Sequence, residues 1–277
     1  MHIVITGAST GIGAALAKEL AALPGAQLTL VARRESAMRA LAAELAAPTQ
    51  VVVADLTDRE AMTDWLDRAE EAFGPVEVLV NNAGVQVIAA TSEVSVVEGE
   101  RSLDLNLLAP LRLIRRVLPK MVARGTGQIV NVASMAALAP TPSMTYYNAG
   151  KAGLAAASEA MRGELRGSGV NVLTVYPGII AETEMAQAGL QKYESTPMLR
   201  MQPTATAAEL ARSVVHALRR RRARVILPRF NWLARMFPGI TRWVLDRFAP
   251  KLAPNQLARA AEPPQDAAAC LTGLSPH

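Results

Sequence analysis

Apolar residues recur with two periods along this chain, and the two patterns alternate. Short β-branched and aliphatic runs predict strands at His2–Thr6, Gln27–Ala32, Gln50–Ala54, Val76–Asn81, Gly127–Ala133, Val170–Tyr176 and Arg224–Pro228. Longer amphipathic segments predict helices near Gly11–Leu23, Glu35–Ala47, Asp58–Phe73, Val96–Ala123, Tyr146–Gly167 and Ala207–Arg220. The alternation predicts an α/β fold, a doubly wound sheet of about seven parallel strands with helices on both faces.

One edge of the predicted sheet collects residues that are suited to ligand binding. Each of these residues directly follows a predicted strand: Gly7, Asp55, Asn82, Ser134 and Pro177. Doubly wound sheets bind ligands outside the carboxyl ends of their strands. We therefore expect the functional site at this edge.

Composition narrows the class of protein. The 277 residues suit one large domain, predicted over 1–228, and 51% of them are hydrophobic but only 4% aromatic, as in an Ala-rich α/β protein. The single cysteine, Cys270, cannot form an internal disulfide, so a reducing, cytoplasmic location is expected. The strand at His2–Thr6 begins at once, so no signal peptide is expected. No apolar run is long enough to span a bilayer.

A glycine-rich loop joins the first predicted strand to the first predicted helix. It reads Thr6-Gly7-Ala8-Ser9-Thr10-Gly11-Ile12-Gly13. Gly7 permits a tight turn, Gly11 lets the backbone approach a pyrophosphate, and Gly13 lets the helix pack close to the strand. The free N–H groups of the helix N-terminus favour bound phosphate. The alternative is an ordinary strand–helix turn that contains glycine.

The end of the second predicted strand bears on the choice of cofactor. NAD-binding sites of this type usually carry an acidic residue there, which holds the ribose hydroxyls. This chain has Arg33 and Arg34 instead, and two guanidiniums could bind a 2′-phosphate. The sequence therefore favours NADP(H) over NAD(H), the alternative being that both arginines form a solvated surface pair.

Tyr147 and Lys151 stand four residues apart in a predicted helix, which puts both on one face. A phenol has an unperturbed pKa of about 10, and a fixed ammonium beside it favours the phenolate. The pair is thereby suited to proton transfer, the alternative being a solvated helix face. Tyr146 points off this face and is predicted to be a packing or pocket residue. Helix-start or surface positions are predicted for Thr141, Ser143 and Ser158.

These motifs occur together in a specific order from Thr6 to about Thr183. The glycine loop is followed by Asp55, Asn81-Asn82-Ala83-Gly84, Asn106, Ser134, Tyr147 with Lys151, and Pro177-Gly178. In this order the chain resembles the short-chain dehydrogenase/reductase family, in its shorter single-domain branch. The resemblance implies a Rossmann-type fold and a nicotinamide cofactor.

The resemblance also implies a role for each matching residue. Tyr147 would be the general acid or base, Lys151 would hold the nicotinamide ribose and lower the pKa of Tyr147, and Ser134 would bind the substrate oxygen. Asn106 would hold a water that links Lys151 to solvent. The implied cofactor-binding residues are Thr6, Gly7, Ser9, Thr10, Gly11, Ile12, Gly13, Arg33, Arg34, Asp55, Leu56, Asn82, Ala83, Gly84, Tyr147, Lys151, Pro177, Gly178, Ile180 and Thr183.

The chain departs from the family pattern at two places. The threonine that often holds the nicotinamide amide is replaced by Glu182, with Thr183 one position later. The Gly-rich segment that builds a tetramer interface in many members is replaced by Val225-Ile226-Leu227-Pro228 and a long basic and apolar segment. A homodimer or higher homo-oligomer is still expected.

The segment 183–206 is predicted to be a lid that carries substrate specificity. Its apolar residues are Met185, Leu190, Tyr193, Met198, Leu199 and Met201. Four residues would approach from the other side of the site: Val85, Val87, Met135 and Met144. Methionines suit an adaptable apolar pocket, so a lipophilic carbonyl or alcohol substrate is expected.

The C-terminal region is basic and amphipathic. The formal net charge of the chain is +5, and the arginines concentrate at Arg219, Arg220, Arg221, Arg222 and Arg224. Residues 229–252 are predicted to form a helical extension broken at Pro238-Gly239, with apolar residues and arginines interleaved. It either docks on the domain or a sister subunit, which the sequence favours, or makes a peripheral membrane contact through 219–252. Residues 253–277 are predicted to be a disordered tail.

The sequence thus predicts an NADP(H)-dependent oxidoreductase that interconverts a lipophilic ketone or aldehyde and its alcohol, with Tyr147 moving the proton. One alternative is a non-catalytic NADP(H)-binding sensor or scaffold. Another is a membrane-surface lipid or sterol dehydrogenase. A nucleic-acid partner is not expected, because the sequence has no recognised nucleic-acid-binding motif. A metal site is not expected either, because no cluster of metal-ligating residues stands out.

Overall fold

The central feature of the molecule is a sheet of seven parallel strands. A computed structural model describes residues 1–195 and 201–253. The sheet strands are β1 (His2–Thr6), β2 (Gln27–Ala32), β3 (Thr49–Val53), β4 (Val78–Asn81), β5 (Gly127–Val132), β6 (Val170–Pro177) and β9 (Arg224–Leu227). Their order is β3-β2-β1-β4-β5-β6-β9, and each neighbouring pair is parallel. This is the doubly wound topology predicted from the alternation of strands and helices.

Helices cover both faces of this sheet. They are α1 (Gly11–Ala21), α2 (Glu35–Glu44), α3 (Trp65–Phe73), α4 (Val96–Leu103), α5 (Ala109–Ala123), α6 (Thr145–Glu164), α7 (Glu184–Leu190), α8 (Ala207–Arg219), α9 (Trp232–Met236) and α10 (Pro238–Phe248). Successive residues of a strand point to opposite faces, so Ile3 and Ile5 join one buried core and Val4 joins the other. The first core includes Leu16 of α1 and Leu210 of α8.

Two of the predicted helices differ in more than the position of a terminus by a few residues. The helix predicted at Asp58–Phe73 begins only at Trp65, because turns occupy the preceding residues and Asp58 Oδ1 accepts the N–H groups of Glu60 and Ala61. The helix predicted at Val96–Ala123 contains a five-residue π turn, Asp104–Leu108, between α4 and α5. Apolar periodicity does not distinguish a π turn from an α-helix, so this feature was not predicted.

The segment that follows the sheet strand β6 forms a small two-stranded sheet of its own. The short strand β7 (Ile179–Ile180) pairs with β8 (Thr204–Ala205), so the base of the predicted lid is hydrogen-bonded. Helix α8 begins with a capping box, in which Thr206 accepts from the N–H of Glu209 at 3.1 Å and Glu209 accepts from the N–H of Thr206 at 2.9 Å. Of the predicted tail, only residue 253 lies within the described residues.

Candidate active site

A cavity of about 870 Å³ lies at the carboxyl ends of the sheet strands. The predicted site residues Gly7, Ser9, Thr10, Gly11, Ile12, Gly13, Arg33, Arg34, Asp55, Leu56, Asn82, Ala83, Gly84, Ser134, Tyr147, Lys151, Pro177, Gly178, Ile180 and Thr183 all line it. Thr6 and Asn106 stand behind this wall. The volume lies within the range of small-molecule and cofactor sites.

Thr6 and Asn82 hold the glycine loop against the end of β4. Thr6 Oγ1 accepts the N–H groups of Asn82 at 3.0 Å and Ala83 at 3.1 Å. In return, Asn82 Nδ2 donates to the carbonyls of Thr6 at 3.0 Å and Gly7 at 3.1 Å. Gly7 has a φ of +65°, and a Cβ there would lie 2.7 Å from the Cα of Ala83. The loop therefore requires glycine at this position, and Thr6 positions the loop from behind.

The two arginines after β2 stand beside the glycine loop. Arg34 donates to Thr10 Oγ1 at 2.6 Å and forms an exposed ion pair with Glu184 of α7 at 3.4 Å. Arg33 is exposed in the cavity wall. This end of the cavity therefore carries two guanidiniums, one of which already contacts the segment predicted as a lid.

Asp55 lies at the end of β3, where its carboxylate is kept ionised. Burial acts to raise its pKa, but two hydrogen bonds from Thr57 and the positive charges of Arg33 and Arg101 lower the pKa below its ordinary value. Its neighbour Leu56 is buried and packs in the core. The carboxylate is therefore an acceptor at neutral pH.

Ser134 and Tyr147 face each other at the opposite end of the cavity. Ser134 follows β5 and begins a short 3-10 turn, Met135–Ala137, where its Oγ accepts the N–H of Ala136 at 3.1 Å. Tyr147, in the first turns of α6, is buried and lines the cavity together with Ser134. Burial raises the pKa of Tyr147, because removal from water disfavours the phenolate, while the nearby Ser134 hydroxyl acts in the lowering direction. The lowering of this pKa by Lys151 that the resemblance implies stays a prediction.

Lys151 is buried one helical turn beyond Tyr147. Its Nζ donates to the carbonyl of Val132 at 2.8 Å, and burial lowers its pKa to about 8. A Cβ on Gly84 would lie 3.1 Å from Lys151 Nζ and 2.8 Å from Asn106 Oδ1. Gly84 thus leaves the space that lets the ammonium and the Asn106 amide approach each other.

Asn106 is fully buried in the π turn and is bound to the backbone around it. Its Nδ2 donates to the carbonyls of Val85 at 2.8 Å and Ser102 at 2.9 Å, and its Oδ1 accepts the N–H of Val85 at 3.3 Å. The Asn106 side chain therefore holds the backbone of Val85, the residue that follows Gly84. The water that the resemblance implies at Asn106 stays a prediction.

The remaining wall of the cavity differs in detail from the predicted substrate pocket. Met135 and Met144 line it as predicted, but Val85 and Val87 do not, and Gln86 and Ile88 take their place. The prediction was therefore one residue out of step along this segment. Tyr193 also lines the wall, where its hydroxyl donates to the carbonyl of Pro142 at 2.8 Å and burial raises its pKa to about 12. Tyr193 is accordingly a neutral wall residue.

The predicted lid contributes part of its residues to the wall. Thr183, Met185 and Leu190 line the cavity, whereas Met201 is 82% exposed. Met198 and Leu199 lie outside the described residues. Glu182 accepts from the N–H of Ala207 at 2.6 Å, while the hydroxyl of Thr183 accepts from the N–H of Ala186 and caps α7. The later threonine, and not Glu182, therefore stands at the cavity.

The C-terminal extension closes one side of the same cavity, which the sequence analysis missed. Its contributing residues are Phe230, Asn231, Ala234, Leu245 and Pro250. The alternation of apolar residues and arginines in 229–252 predicted one buried face, but it gave no indication of which surface that face would cover. The chain also pairs Tyr193 with Leu252 in an isolated β-bridge.

Two further residues show how α6 is held. Ser158 was predicted at the surface, which is wrong: it is fully buried, donating to the carbonyl of Leu154 at 2.7 Å and accepting from Asn131 Nδ2 at 2.8 Å. Tyr146 packs so closely on Gly99 of α4 that a Cβ on Gly99 would overlap its ring. Tyr146 is thus a packing residue outside the cavity wall.

Two kinds of feature are absent from the described residues, a metal-binding cluster and a membrane-spanning helix. In residues 1–195 and 201–253 there is no group of three or more His, Cys, Asp or Glu side chains placed to hold a metal ion. Over the same part of the chain, no helix is both long enough and apolar enough to cross a bilayer.

Comparison with known proteins gives consistent matches. The family model for short chain dehydrogenases matches residues 1–194. The fatty acyl-CoA reductase of Mycobacterium tuberculosis is 36% identical over 250 residues, which cover 88% of this chain and 82% of that protein. The ketoacyl reductase HetN of Nostoc sp. is 33% identical over 228 residues, covering 81% of this chain and 77% of that one.

Solved structures agree with the sequence matches. A short-chain dehydrogenase from Sphingobium yanoikuyae in complex with NADPH superposes with a TM-score of 0.74 at 30% identity, covering 96% of this chain and 99% of its own. A short-chain dehydrogenase from Streptomyces avermitilis superposes with a TM-score of 0.75 at 27% identity, covering 94% of this chain and 98% of its own.

Proposed function

Because the chain belongs to the short-chain dehydrogenase family and is an NAD(P)-dependent oxidoreductase of that family, we propose that it interconverts a lipophilic ketone or aldehyde and its alcohol with NADP(H). Tyr147 is the proton donor in reduction and the proton acceptor in oxidation. The observation that carries the proposal is that Ser134, Tyr147 and Lys151 line one cavity, with Tyr147 and Lys151 buried in its wall.

The mechanism follows from where a negative charge would develop. NADPH, when bound, supplies the hydride that reduces the carbonyl carbon. The Ser134 hydroxyl donates a hydrogen bond to the substrate oxygen, and Tyr147 gives that oxygen its proton as charge accumulates there. In the reverse direction Tyr147 accepts the proton from the alcohol. The apolar wall keeps water from the reacting carbonyl.

Lys151 and Asn106 support this proton transfer. Burial lowers the pKa of Lys151 to about 8, so its ammonium is charged at neutral pH and can give up a proton at modest cost. We assign Lys151 to the ribose hydroxyls of the cofactor and to the pKa of Tyr147. Asn106, with its amide close to the space beside Gly84, would hold the water that links Lys151 to solvent.

The choice of NADP(H) rests on Arg33 and Arg34. Both line the cavity at the end of β2, where a 2′-phosphate would add negative charge. Arg34 is already oriented by its bond to Thr10. Thr183, Pro177, Gly178 and Ile180 would back the nicotinamide, and the glycine loop would hold the pyrophosphate.

The substrate assignment rests on the wall that faces Ser134 and Tyr147. Met135, Met144, Ile88 and Leu190 make that wall largely apolar. The similarity to a fatty acyl-CoA reductase and a ketoacyl reductase supports a carbonyl on an apolar skeleton. Within the same proposal the enzyme is cytoplasmic and forms a homodimer or higher homo-oligomer, as its single cysteine and its family suggest.

Two alternative functions are compatible with the same fold, and they differ in the residues that they require. A non-catalytic NADP(H)-binding sensor or scaffold needs the cofactor residues but not Tyr147. A membrane-surface lipid or sterol dehydrogenase uses the same chemistry, and the observation that favours it is the exposure of large apolar side chains in 229–252.

The cofactor part is tested by fluorescence titration with NADPH and NADH. Arg33→Ala and Arg34→Ala should each weaken NADPH binding about 10- to 100-fold, the range for a lost charge-assisted hydrogen bond, and leave NADH binding unchanged. Arg39→Ala on α2 is the control, because Arg39 pairs with Glu35 outside the cavity. Equal affinity of the wild type for both cofactors would remove the NADP(H) preference.

The catalytic part is tested by NADPH oxidation with decanal and 2-decanone, beside the charged keto acid pyruvate. Tyr147→Phe should lower kcat/KM for the lipophilic substrates by about 10²- to 10⁴-fold while NADPH binding persists. Tyr146→Phe, in which only a packing tyrosine loses its hydroxyl, is the matched control. A wild type that binds NADPH and reduces none of these carbonyls would favour the scaffold.

A further inference from the structure

The C-terminal helices α9 and α10 present two different faces. One face lines the cavity, as described for Ala234 and Leu245. The other, here called the outer face, consists of large apolar side chains that are 40–64% exposed: Trp232, Leu233, Met236, Phe237, Ile240, Trp243 and Phe248. So many exposed aromatic and aliphatic residues on one short segment indicate an interaction surface.

A second, smaller cavity adjoins the outer face. This arginine cleft, of about 490 Å³, is lined by Arg224, Ile226, Arg229, Trp232 and Arg235. Trp232 belongs both to the cleft and to the outer face. The apolar surface and the positive cleft therefore meet at one residue.

The charges around the cleft are not balanced. Glu159 of α6 forms ion pairs with Arg162 at 2.6 Å, with Arg224 and with Arg235 at 3.7 Å. Arg229 adds a fourth guanidinium to this group. One carboxylate thus faces four positive charges, and the excess attracts an anion such as a phosphate group.

We propose that the outer face and the arginine cleft together dock on a bilayer of anionic phospholipid, with a headgroup phosphate in the cleft. Tryptophan and phenylalanine favour the boundary between headgroups and acyl chains, and arginine favours the phosphates above it. Residues 229–252 carry five cationic side chains, Arg229, Arg235, Arg242, Arg247 and Lys251, against one acid, Asp246. This charge excess is complementary to an anionic membrane.

The same charges disfavour a second copy of the chain as the occupant. A twofold contact places the same patch of each subunit against its counterpart. The cationic excess of the outer face would then meet itself, with Asp246 as the one acidic side chain of the segment to offset it. Like charges brought together across an interface are destabilising.

The location of the surface gives the docking a consequence for the reaction. Because α9 and α10 separate the outer face from the cavity, a bilayer held there would lie next to the substrate wall. A lipophilic carbonyl could then pass from the acyl chains into the cavity with little exposure to water. This last step rests on the proposed function, whereas the docking itself does not.

The test is sedimentation of the full chain with vesicles. Vesicles of phosphatidylglycerol and phosphatidylcholine should bind at least about tenfold more protein than pure phosphatidylcholine, and about 0.5 M salt should reverse most of the difference. Arg229→Gln should weaken partitioning about fivefold, the value expected for one arginine near an anionic surface. Ile240→Ser with Trp243→Ser should abolish it.

A matched control removes the same kinds of side chain elsewhere. Arg115→Gln with Val97→Ser takes one exposed arginine and one exposed apolar residue from other helices and should leave partitioning unchanged. Trp232 and Trp243 supply a second readout, because their fluorescence should shift to shorter wavelength on anionic vesicles while buried Trp65 stays constant.

Three outcomes would overturn the inference. They are equal binding to both vesicle types, unchanged binding in the variants, and a vesicle-independent dimer that Ile240→Ser with Trp243→Ser converts to monomer. NADPH oxidation with butanal is measured on each variant in parallel. A wild type that turns over but does not bind anionic vesicles removes the membrane docking alone, and a wild type that binds them without turnover removes the proposed reaction alone.

Discussion

Burial acts on Tyr147 and Lys151 in the same chemical sense, because it favours the neutral form of both side chains. It raises the pKa of the phenol and lowers the pKa of the ammonium to about 8. The sequence spacing correctly brought the two residues to one helix face, but it could not reveal how dry that face would be. The lowering of the Tyr147 pKa by Lys151 therefore stays a prediction.

The buried ammonium makes a prediction about stability. Lys151 has a folded-state pKa of about 8 against an ordinary 10.5, so the unfolded chain holds the proton more tightly. The buried ammonium therefore lowers the free energy of unfolding. This destabilisation is present in full below pH 8 and is relieved as pH rises toward 10.5, by about 2 to 3 kcal/mol between pH 7 and pH 10. Lys151→Met lacks this ammonium group. Its free energy of unfolding, measured in urea, should exceed that of the wild type at pH 7, and this difference should be smaller by about 2 to 3 kcal/mol at pH 10.

Lys251→Met is the control for that experiment, because the Lys251 side chain is exposed. Its difference from the wild type should not vary with pH over this range. A Lys151→Met difference that is equally constant would show that burial does not hold the ammonium pKa down.

At the scale of elements, helix α6 carries both Tyr147 and Lys151 and is fixed to the sheet by a buried polar network. Asn81 of β4 donates to Asn131 of β5 at 2.8 Å, and Asn131 donates to Ser158 of α6 at 2.8 Å. Ser158 in turn donates to the carbonyl of Leu154. The network orients α6 against two strands, and so it positions the reacting side chains without touching the cavity.

Removing one member of this network should be costly. Ser158→Ala leaves Asn131 Nδ2 without its acceptor in the interior, which should lower the free energy of unfolding by about 1 to 3 kcal/mol. Thermal unfolding should shift down by several degrees. Ser36→Ala on the exposed surface of α2 is the control and should change stability by less than about 0.5 kcal/mol. An unchanged transition in Ser158→Ala would mean that the network contributes little.

Element boundaries were predictable where a single local signal decides them. Strands β1 and β2 have their predicted bounds, and α8 begins at its predicted residue, Ala207, directly after the capping residue Thr206. The π turn around Asn106 and the late start of α3 depend instead on tertiary contacts and side-chain turns. The one-residue error at Val85 and Val87 has the same origin, since nothing in that loop fixes which alternate side chains face inward.

At the scale of the whole molecule, Glu159 connects the main helix of the site to the last sheet strand and to the C-terminal helices. It contacts Arg162 of its own helix, Arg224 of β9 and Arg235 of α9. Burial acts to raise the pKa of Glu159, but the hydrogen bonds from Arg224 and Arg162 outweigh it and hold the pKa at about 2. One carboxylate thus joins three parts of the fold.

This arrangement predicts a particular sensitivity to acid. Because the folded-state pKa of Glu159 lies below its ordinary 4.5, the stabilisation is present above pH 4.5 and is lost as pH falls toward 2. The difference in unfolding free energy between the wild type and Glu159→Gln should therefore shrink from pH 5 to pH 3 in urea titrations. Glu164→Gln, at the exposed end of the same helix, should show no such trend. A constant difference for Glu159→Gln would contradict the linkage.

The sequence predicted the sheet, the cavity edge and most of its wall, because those follow from strand ends and from a motif order. It did not predict that 229–252 would close the cavity. That contact joins residues far apart in the chain, such as Tyr193 and Leu252. The spacing of apolar residues within each segment does not reveal which distant segment it packs against.

The strand order also has a consequence for synthesis on the ribosome. One edge of β1 can pair with β2 soon after both strands have left the ribosome. Its other edge pairs with β4, so Val4 stays unpaired on that side until Leu79 has been made. Until then β1, all of whose residues are buried in the folded protein, carries an open row of amides, which is a template for pairing between chains. Chains that stop between Val53 and Val78 should therefore aggregate more readily than chains that extend beyond Asn81.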